Sequence, residues 1–309
     1  MQPIIAPVER LLLEKELNAD RFVRKANNGS NEIYIVTAHD SPEVLREIGR
    51  VREVSFRAAG GGTGKELDLD EFDTIDDCYE QLIVWNPQDK EIVGGYRFIR
   101  CAEAAPDAHH QFKLATTELF HFSDTFIKNY MPYTIELGRS FVQPQYQPSS
   151  ENRKGLFSLD NLWDGLGAIA VDNPDIKYFF GKVTMYLHFN REARDMILFF
   201  MHYYFPDKEK LVHPIKPLQI EHNMTAFEKE LQGLSYKEGH HLLNRHVRAL
   251  GENIPPLFNS YMNLSASMKT FGTALNSHFG DVEETGILVT LADIYESKKE
   301  RHVNTYKKM

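Results

Sequence analysis

The sequence predicts a mixed α+β fold in which a central sheet is flanked by helices. Three observations predict it. Short runs with the periodicity of strands alternate with longer runs of helical periodicity. Two strand-like runs are joined by a short polar turn, which is typical of a hairpin. Two others flank a helix, which is typical of a crossover between parallel strands.

The first half of the chain begins this pattern. Residues 31–37 alternate apolar and polar side chains and predict a strand. A helix over 41–57 follows, because Ser-Pro-Glu at its start supplies an N-cap, a preset first turn and an acid near the helix N-terminus. Residues 79–85 and 92–99 are β-rich and flank Asn-Pro-Gln-Asp-Lys, so they should pair as an antiparallel hairpin.

A crossover follows in the middle of the chain. Residues 133–142 predict a strand, 156–171 an amphipathic helix and 178–187 a second strand. The two strands would be parallel neighbours, and their C-terminal ends would face a common crevice. We expect the functional site in that crevice. A helix over 191–204 completes this part of the chain.

The C-terminal part is less regular. A helix is predicted over 236–250, a short helix after 254 and a last strand over 286–294. No long linker divides the chain. We therefore expect one domain over 1–309, with a helical elaboration at about 207–250.

Composition excludes several classes of function. The 35 Lys and Arg residues against 44 Asp and Glu give a formal charge of −9, which argues against a nucleic-acid partner. Cys78 and Cys101 are the two cysteines, so neither a disulfide framework nor a cysteine-based zinc site is expected. Adjacent histidine pairs do not have metal-ligand spacing, and no metal is expected. The N-terminus lacks the pattern of a signal peptide, and no run reaches the ~20 apolar residues of a spanning helix, so we expect a cytoplasmic protein.

The glycine-rich stretch 60–65 superficially resembles a phosphate loop. A Walker motif needs glycine where Ala59 stands and Ser or Thr where Glu66 stands, and it must follow a strand. Here the stretch follows a predicted helix and precedes an acidic segment. We interpret it as a mobile loop that ends the helix.

The acidic segment 66–77 contains carboxylates at a density that repels itself unless cations lie among them. A solvated loop is one interpretation. The other is that Asp70 and Asp73 pair with arginines on predicted core elements, where an unpaired guanidinium would be costly. These arginines are Arg52, Arg97 and Arg139.

Six short motifs in the same order resemble a known family. They are Arg52 with Phe56, Asp70-Glu71-Phe72-Asp73, Gly94-Gly95-Tyr96-Arg97, Glu136-Leu137-Gly138-Arg139-Ser140 with Val142-Gln143-Pro144, Leu162-Trp163-Asp164-Gly165 with Phe180-Gly181-Lys182-Val183-Thr184, and Gly251-Glu252-Asn253-Ile254-Pro255-Pro256-Leu257. Together they resemble the GNAT-type N-acyltransferases that use acyl carrier protein, in the ornithine- and glycine-lipid branch often labelled hemolysin-like. The acyl-homoserine-lactone synthases are a related branch.

The resemblance implies a GNAT-like mixed sheet and an acyltransferase activity. A fatty acyl chain, 3-hydroxylated in this branch, would move from acyl carrier protein to the α-amine of a small amino acid, glycine or ornithine. This would be the first step of aminolipid synthesis. It implies no bound cofactor, since the 4'-phosphopantetheine thioester is a co-substrate, and acyl-CoA is the alternative donor. Any membrane contact would be peripheral, at the inner face.

One departure from the family pattern concerns the donor. Members that use acetyl-CoA carry a glycine-rich turn after this strand, whereas the chain has Pro-Ser-Ser-Glu-Asn-Arg-Lys-Gly at 148–155. This favours a carrier-bound pantetheine, with Arg153, Lys154 and Gly155 as its expected site. A net-negative enzyme needs a local basic face to dock an acidic carrier protein. The candidates for that face are Arg153, Lys154, Lys182, Arg191 and Arg194.

The expected roles follow from the chemistry of amide formation, which needs a base for the amine and donors for the oxyanion. We assign Glu136 as the base, in the crevice with Arg139, and the backbone near Phe141 and Val142 as oxyanion donor. The alternative role for Glu136 is a salt bridge to an arginine, and His188 is a weaker candidate for the base. The remaining expected substrate-binding residues are Arg52, Asp70, Asp73 and Arg97.

Two other functions stay open from the sequence. One is a signal synthase that makes a lactone from S-adenosylmethionine, although the long C-terminal part and the Ile-Pro-Pro segment disfavour it. The other is a non-catalytic lipid- or membrane-binding protein, as the hemolysin label suggests.

Overall fold

An eight-stranded sheet organises the computed structural model, which describes residues 1–104, 112–147 and 155–308. Within those residues its strand order is β1-β2-β3-β4-β6-β7-β10-β9, and β5 and β8 form a separate pair. The strands are β1 Phe22–Lys25, β2 Glu32–Val36, β3 Glu80–Asn86, β4 Glu91–Arg100, β5 Phe120–Phe122, β6 Thr134–Val142, β7 Tyr178–Met185, β8 Val212–Pro214, β9 Lys269–Asn276 and β10 Val282–Thr290.

Helices cover both faces of the large sheet. They are α1 Arg10–Glu16, α2 Pro42–Ala58, α3 Asp124–Asn129, α4 Ser158–Asp172, α5 Arg191–Tyr204, α6 Thr225–Leu231, α7 Tyr236–Ala249, α8 Pro256–Met262 and α9 Glu296–His302. One face packs against α2 and the segment that contains α3. The other face packs against α4, α5 and the C-terminal helices.

Strands β6 and β7 diverge, and this divergence positions the site. In the described chain they are the parallel pair of the large sheet, and their register runs from Thr134–Tyr178 to Leu137–Gly181. Beyond Leu137 and Gly181 each strand continues, β6 to Val142 along β4 and β7 to Met185 along β10. Beyond this point the facing edges of β6 and β7 are not paired with each other, and a wedge-shaped gap opens through the sheet.

The structure confirms most of the predicted elements. The mixed α+β class, the 79–99 hairpin, the parallel crossover and the helix over 191–204 are all present. The segment 207–250 contains β8, α6 and α7, and the two helices pack with α5 in one apolar cluster.

Several details of the prediction are wrong. The last strand is Val282–Thr290 rather than 286–294, and its partner Lys269–Asn276 was not predicted. That partner contains Gly272, which has a positive φ of 95° beside a register shift and interrupts the strand pattern. Ser41 makes no capping hydrogen bond. The Glu16 carboxylate instead accepts hydrogen bonds from the backbone N–H groups of Glu43 and Val44 at the start of α2.

Candidate active site

A large cavity of about 870 Å³ occupies the gap between β6 and β7. Residues 139–142 of β6 line one side, and Lys182, Thr184 and Tyr186 line the other. The cavity continues on both faces of the sheet, since α2 contributes to its wall on one face and α4, α8 and α9 on the other. The gap is therefore accessible from both faces of the sheet.

The half of the cavity beside α2 is charged. Lys182 on β7 and Glu284 on β10 lie on neighbouring strands, and their side chains form a buried ion pair. Asn276 donates to the same carboxylate over 3.1 Å. Burial lowers the pKa of the Lys182 ammonium, and the positive charge of the nearby Arg139 lowers it further. The negative charge of Glu284 raises this pKa but does not outweigh the other two effects. The wall of this half thus combines a cation and a carboxylate that line the cavity.

A backbone irregularity directs Arg139 into the same half. Arg139 has a positive φ of 47°, a conformation that costs about 1–2 kcal/mol for a residue with a side chain. The β4–β6 register shifts at this point, as it does at a bulge, and bulges redirect side chains near functional sites. The guanidinium lies 4.4 Å from the centre of the Phe279 ring and 3.0 Å from an Asp68 oxygen.

Behind Arg139 lies a buried ion network that the acidic segment supplies. Asp73 bonds to Arg52 and to Arg97, in each case over 3.1 Å. Asp70 bonds to Arg97 over 2.7 Å and to Arg139 over 3.4 Å. Burial opposes ionisation of Asp73, but the two arginines outweigh it and hold the pKa of its carboxyl well below the usual range. The predicted pairing of Asp70 and Asp73 with the three arginines is confirmed, and a merely solvated loop is excluded.

The expectation that Glu136 points into the crevice is wrong. Its side chain is buried, and its two carboxylate oxygens accept hydrogen bonds from the Tyr79 hydroxyl over 2.7 Å and the Thr116 hydroxyl over 2.6 Å. Burial raises the pKa of this carboxyl. Glu136 pairs with Phe180 where β6 and β7 are still joined, so it precedes the gap and does not line the cavity. The geometric basis for choosing it as the base is therefore lost.

The other half of the cavity, beside α4, α8 and α9, is mainly apolar. Its wall includes Leu156, Phe157, Trp163, Leu257 and Leu264. Leu156 and Phe157 are exposed, which places them at a mouth of the cavity. Polar side chains from α4 and α9 interrupt this wall at Asp160, Arg301 and His302.

The structure divides the predicted site residues into three groups. Those that line the cavity are Arg139, Phe141, Val142 and Gly155. Those that lie behind or beside it are Arg52, Asp70, Asp73, Arg97 and Glu136. Arg153 and Lys154 lie outside the described residues.

The predicted basic docking face is wrong for two of its members. The Lys182 side chain is largely buried in its pair with Glu284. Arg194 is fully buried and bonds to Asp195 over 2.7 Å and to Glu283 over 3.0 Å. Sequence patterns cannot separate such buried cations from surface cations, because both occur on amphipathic elements.

The glycine-rich stretch ends α2, as predicted, and then folds around a carboxylate. Glu53 is buried and accepts hydrogen bonds from the backbone N–H groups of Thr63 and Gly64 over 3.0 and 2.8 Å. Because Glu53 already binds these N–H groups, they are not free to hold a phosphate. This agrees with the rejection of a Walker motif.

Glu284 and Tyr186 line the cavity but were not among the predicted site residues. Glu284 lies in a strand whose position was shifted in the prediction, so its neighbour Lys182 could not be recognised as its partner. The available signal was a pair of adjacent carboxylates, Glu283-Glu284, shortly before the apolar run 287–289. Burial raises the pKa of Tyr186 to about 12, and the Glu284 charge contributes.

Two classes of site are absent from the described residues. Residues 1–104, 112–147 and 155–308 hold no group of three or more His, Cys, Asp and Glu side chains placed to bind a metal ion. Over the same residues, no helix has both the length and the apolar character needed to cross a membrane.

Comparison with known proteins identifies the family. A model of the acetyltransferase (GNAT) domain matches residues 51–153. A glycine N(alpha)-acyltransferase of Phocaeicola vulgatus is 53% identical over 308 residues, which cover 100% of this chain and 94% of that protein. A glycine N(alpha)-acyltransferase of Bacteroides thetaiotaomicron is also 53% identical, over 99% of this chain and 91% of its own length. The chain belongs to this family of amino-acid N-acyltransferases.

More distant solved structures were also found. FeeM, an N-acyl amino acid synthase from uncultured soil microbes, aligns with a TM-score of 0.41 at 10% identity, over 89% of this chain and 95% of its own. The acyl-homoserine-lactone synthase LasI aligns with a TM-score of 0.33 at 13% identity, over 51% of this chain and 74% of its own.

Family membership confirms the GNAT-like fold and an enzymatic role. The acyltransferase is therefore not a non-catalytic lipid-binding protein. Its fold places the gap between the parallel strands, and the charged and apolar halves of the cavity meet there.

Substitution of Asp73 by Asn tests the buried ion network. The change leaves Arg52 and Arg97 buried without their shared counter-charge, so we expect the free energy of unfolding to fall by about 2–4 kcal/mol at neutral pH. Because the pKa of Asp73 is lower in the folded state than the ordinary value of about 3.9, its stabilisation is present above that pH and is lost as the pH falls below it. Urea unfolding at several pH values measures both effects.

Asp70→Asn is the matched control. Because Asp70 is partly exposed, this substitution should lower the free energy of unfolding by less than Asp73→Asn does. An Asp73→Asn variant as stable as the unsubstituted protein at neutral pH would contradict the network's importance.

Proposed function

We propose that the protein transfers a long acyl chain from the thioester of acyl carrier protein to the α-amine of glycine. One observation carries the proposal: a continuous cavity through the β6–β7 gap joins a charged half to an apolar half. An amino acid is a small charged substrate, and an acyl chain is a long apolar one. The gap is where their reacting groups would meet.

The charged half suits the acceptor. Arg139, Lys182 and Glu284 line it, and the two cations can both face one carboxylate. Nη1 of Arg139 has no hydrogen-bond partner among the described residues, so it is available for the acceptor's carboxylate. The aromatic rings of Phe56, Phe279 and Tyr186 enclose this half and favour a small amino acid. The 53% identity to two glycine N(alpha)-acyltransferases supports glycine over ornithine.

Glu284 is the base in this proposal. Amide formation requires the attacking amine to lose a proton, and Glu284 is the carboxylate that lines the charged half. Lys182 and Asn276 hold its Oε2 atom, while Oε1 is 3.4 Å from the Thr184 hydroxyl. This leaves Oε1 oriented by a weak contact and able to accept the proton.

The thioester carbonyl would lie in the gap itself. Backbone groups of β6 from Gly138 to Val142 face the gap without a β7 partner in the described chain. A backbone N–H of this edge can stabilise the developing oxyanion, as predicted for the strand near Phe141 and Val142. The acyl carbon would then form its bond to the amine nitrogen as its bond to the thioester sulfur breaks. The proton that Glu284 takes from the amine would pass to the departing sulfur, which leaves as the thiol of the pantetheine arm.

The carrier arm would enter at the exposed mouth of the apolar half. Leu156 and Phe157 form that mouth, immediately after Arg153, Lys154 and Gly155, which stay the expected site for the pantetheine and its phosphate. The same acyl chain on CoA is the alternative donor. A 3-hydroxylated chain and a first step in aminolipid synthesis remain part of the proposal on the basis of the family resemblance.

The assay that tests this function uses purified protein with acyl carrier protein charged with 3-hydroxyacyl chains. We expect N-acylglycine when glycine is the acceptor, because the charged half matches a small carboxylate. Mass spectrometry detects the product. Parallel reactions with ornithine and with the acyl-CoA series separate acceptor and donor choice, and the absence of product with every combination would refute the proposal.

Glu284→Gln tests the base. Loss of a general base should lower kcat/KM for N-acylglycine formation by about 100-fold or more, with the fold retained. Glu283→Gln is the matched control, since Glu283 lies on the opposite face of β10 and bonds to Arg194. Steady-state kinetics normalised to folded protein should separate the two variants. Full activity of Glu284→Gln together with an inactive Glu136→Gln would restore Glu136 as the base.

The product is an amphiphile, and we propose peripheral contact with the inner face of the membrane at the mouth. Exposed Leu156 and Phe157 stand there, and Lys298 and Arg301 line the same half of the cavity. Apolar side chains beside cations favour an anionic bilayer surface. We expect co-sedimentation with phosphatidylglycerol vesicles, reduced by Phe157→Glu. Equal recovery of both proteins in the pellet, or no binding by either, would contradict the contact.

A further inference from the structure

A second, small cavity adjoins the apolar half of the large one, with which it shares wall residues. Its volume is about 30 Å³, so it is far smaller than the large cavity. Apolar side chains dominate its wall, including Leu166, Phe179, Leu291 and Ile294. Such a space has too few polar partners to hold water well, and it is suited to an apolar group.

Four residues line both cavities and so form the wall between them. They are Trp163, Leu264, Lys298 and His302. Trp163 is the largest of the four, and its ring packs edge-on against Tyr261 with 5.4 Å between ring centres. Where the apolar half adjoins the small cavity, the indole ring is therefore the largest side chain of the wall.

This wall is held in place from behind. Nδ1 of His302 is 2.7 Å from an Asp164 oxygen, and Asp164 also accepts hydrogen bonds from Asn27 over 2.8 and 2.7 Å. Helix α9 is pressed closely against α4, since a Cβ on Gly167 would lie 2.2 Å from the His302 carbonyl oxygen. Helix α9 is thus fixed to α4, and the wall that the two cavities share is held in position.

We infer that Trp163 limits the length of the acyl chain that the enzyme transfers. The inference rests on the proposed function, in which the chain occupies the apolar half. The methyl end of the longest accepted chain would stop at the Trp163 ring. The small cavity behind it is apolar space that a longer chain could enter once the ring is removed.

Trp163→Ala tests this inference. The purified variant and the unsubstituted protein each receive glycine and an equimolar mixture of saturated acyl thioesters that differ by two carbons, on acyl carrier protein and, separately, on CoA. Mass spectrometry then gives the distribution of N-acylglycine chain lengths. Because the variant joins the two cavities, we expect its most abundant product to be longer by at least two carbons.

Two further variants serve as controls. Leu264→Ala also thins the shared wall and should shift the distribution in the same direction, so it decides the question if Trp163→Ala does not fold. Trp85→Phe changes the other tryptophan, which is buried in the core beside α2 and lines neither cavity, and should leave the distribution unchanged.

The outcomes separate this inference from the proposed function. If the unsubstituted protein forms no N-acylglycine from any donor, the proposed function fails and the inference fails with it. If it forms N-acylglycine and the folded Trp163 and Leu264 variants give the same chain lengths, the inference alone is overturned. A shift to shorter chains would overturn it as well.

Discussion

The separation of two parallel strands is the constraint on which the rest of the site depends. β6 and β7 are hydrogen-bonded for four residue pairs, from Thr134–Tyr178 to Leu137–Gly181, and then diverge. Up to that point the sheet is closed, and side chains on both faces are buried in separate apolar clusters. Beyond it, one cavity connects the two faces, so two chemically different substrates can approach the same backbone edge from opposite sides.

Keeping this gap open requires that each strand be held from its outer side. β4 and β10 provide that support through backbone pairing. On the α2 face, Asp73 of the acidic segment forms ion pairs with Arg52 of α2 and Arg97 of β4. Asp68 and Asp70 of the same segment form ion pairs with Arg139 and hold it at the edge of the gap. Removing one partner from such a buried network lowers the free energy of unfolding by more than the ion pair itself contributes, because a buried charge is left without a counter-charge. The acidic segment therefore acts as part of the site's frame, although none of residues 66–77 lines the cavity.

The position of the gap could be predicted from the sequence, and the direction of individual side chains could not. A strand, helix and strand in succession already imply parallel neighbours with a crevice at their carboxyl ends. The ion pairs could be predicted because arginines within core elements require counter-charges. The position of Glu136 was predicted wrongly because only the three-dimensional register shows that β6 and β7 are still paired at Glu136 and Phe180. The sequence also does not show that the hydroxyl groups of Tyr79 and Thr116 donate hydrogen bonds to its carboxylate. Glu284 was missed because its pairing with Lys182 joins residues 102 positions apart. Helix α9 is rich in charged residues, yet His302 fixes it to α4 through Asp164.

A crystal structure of the protein with bound N-acylglycine is the most direct test of how the gap is used. We expect the amide to lie between residues 139–142 of β6 and the Lys182–Thr184 part of β7. The glycine carboxylate should lie at Arg139 and Lys182, and the alkyl chain should point towards Trp163. An amide located outside the β6–β7 gap, or a glycine carboxylate on the apolar side, would contradict it.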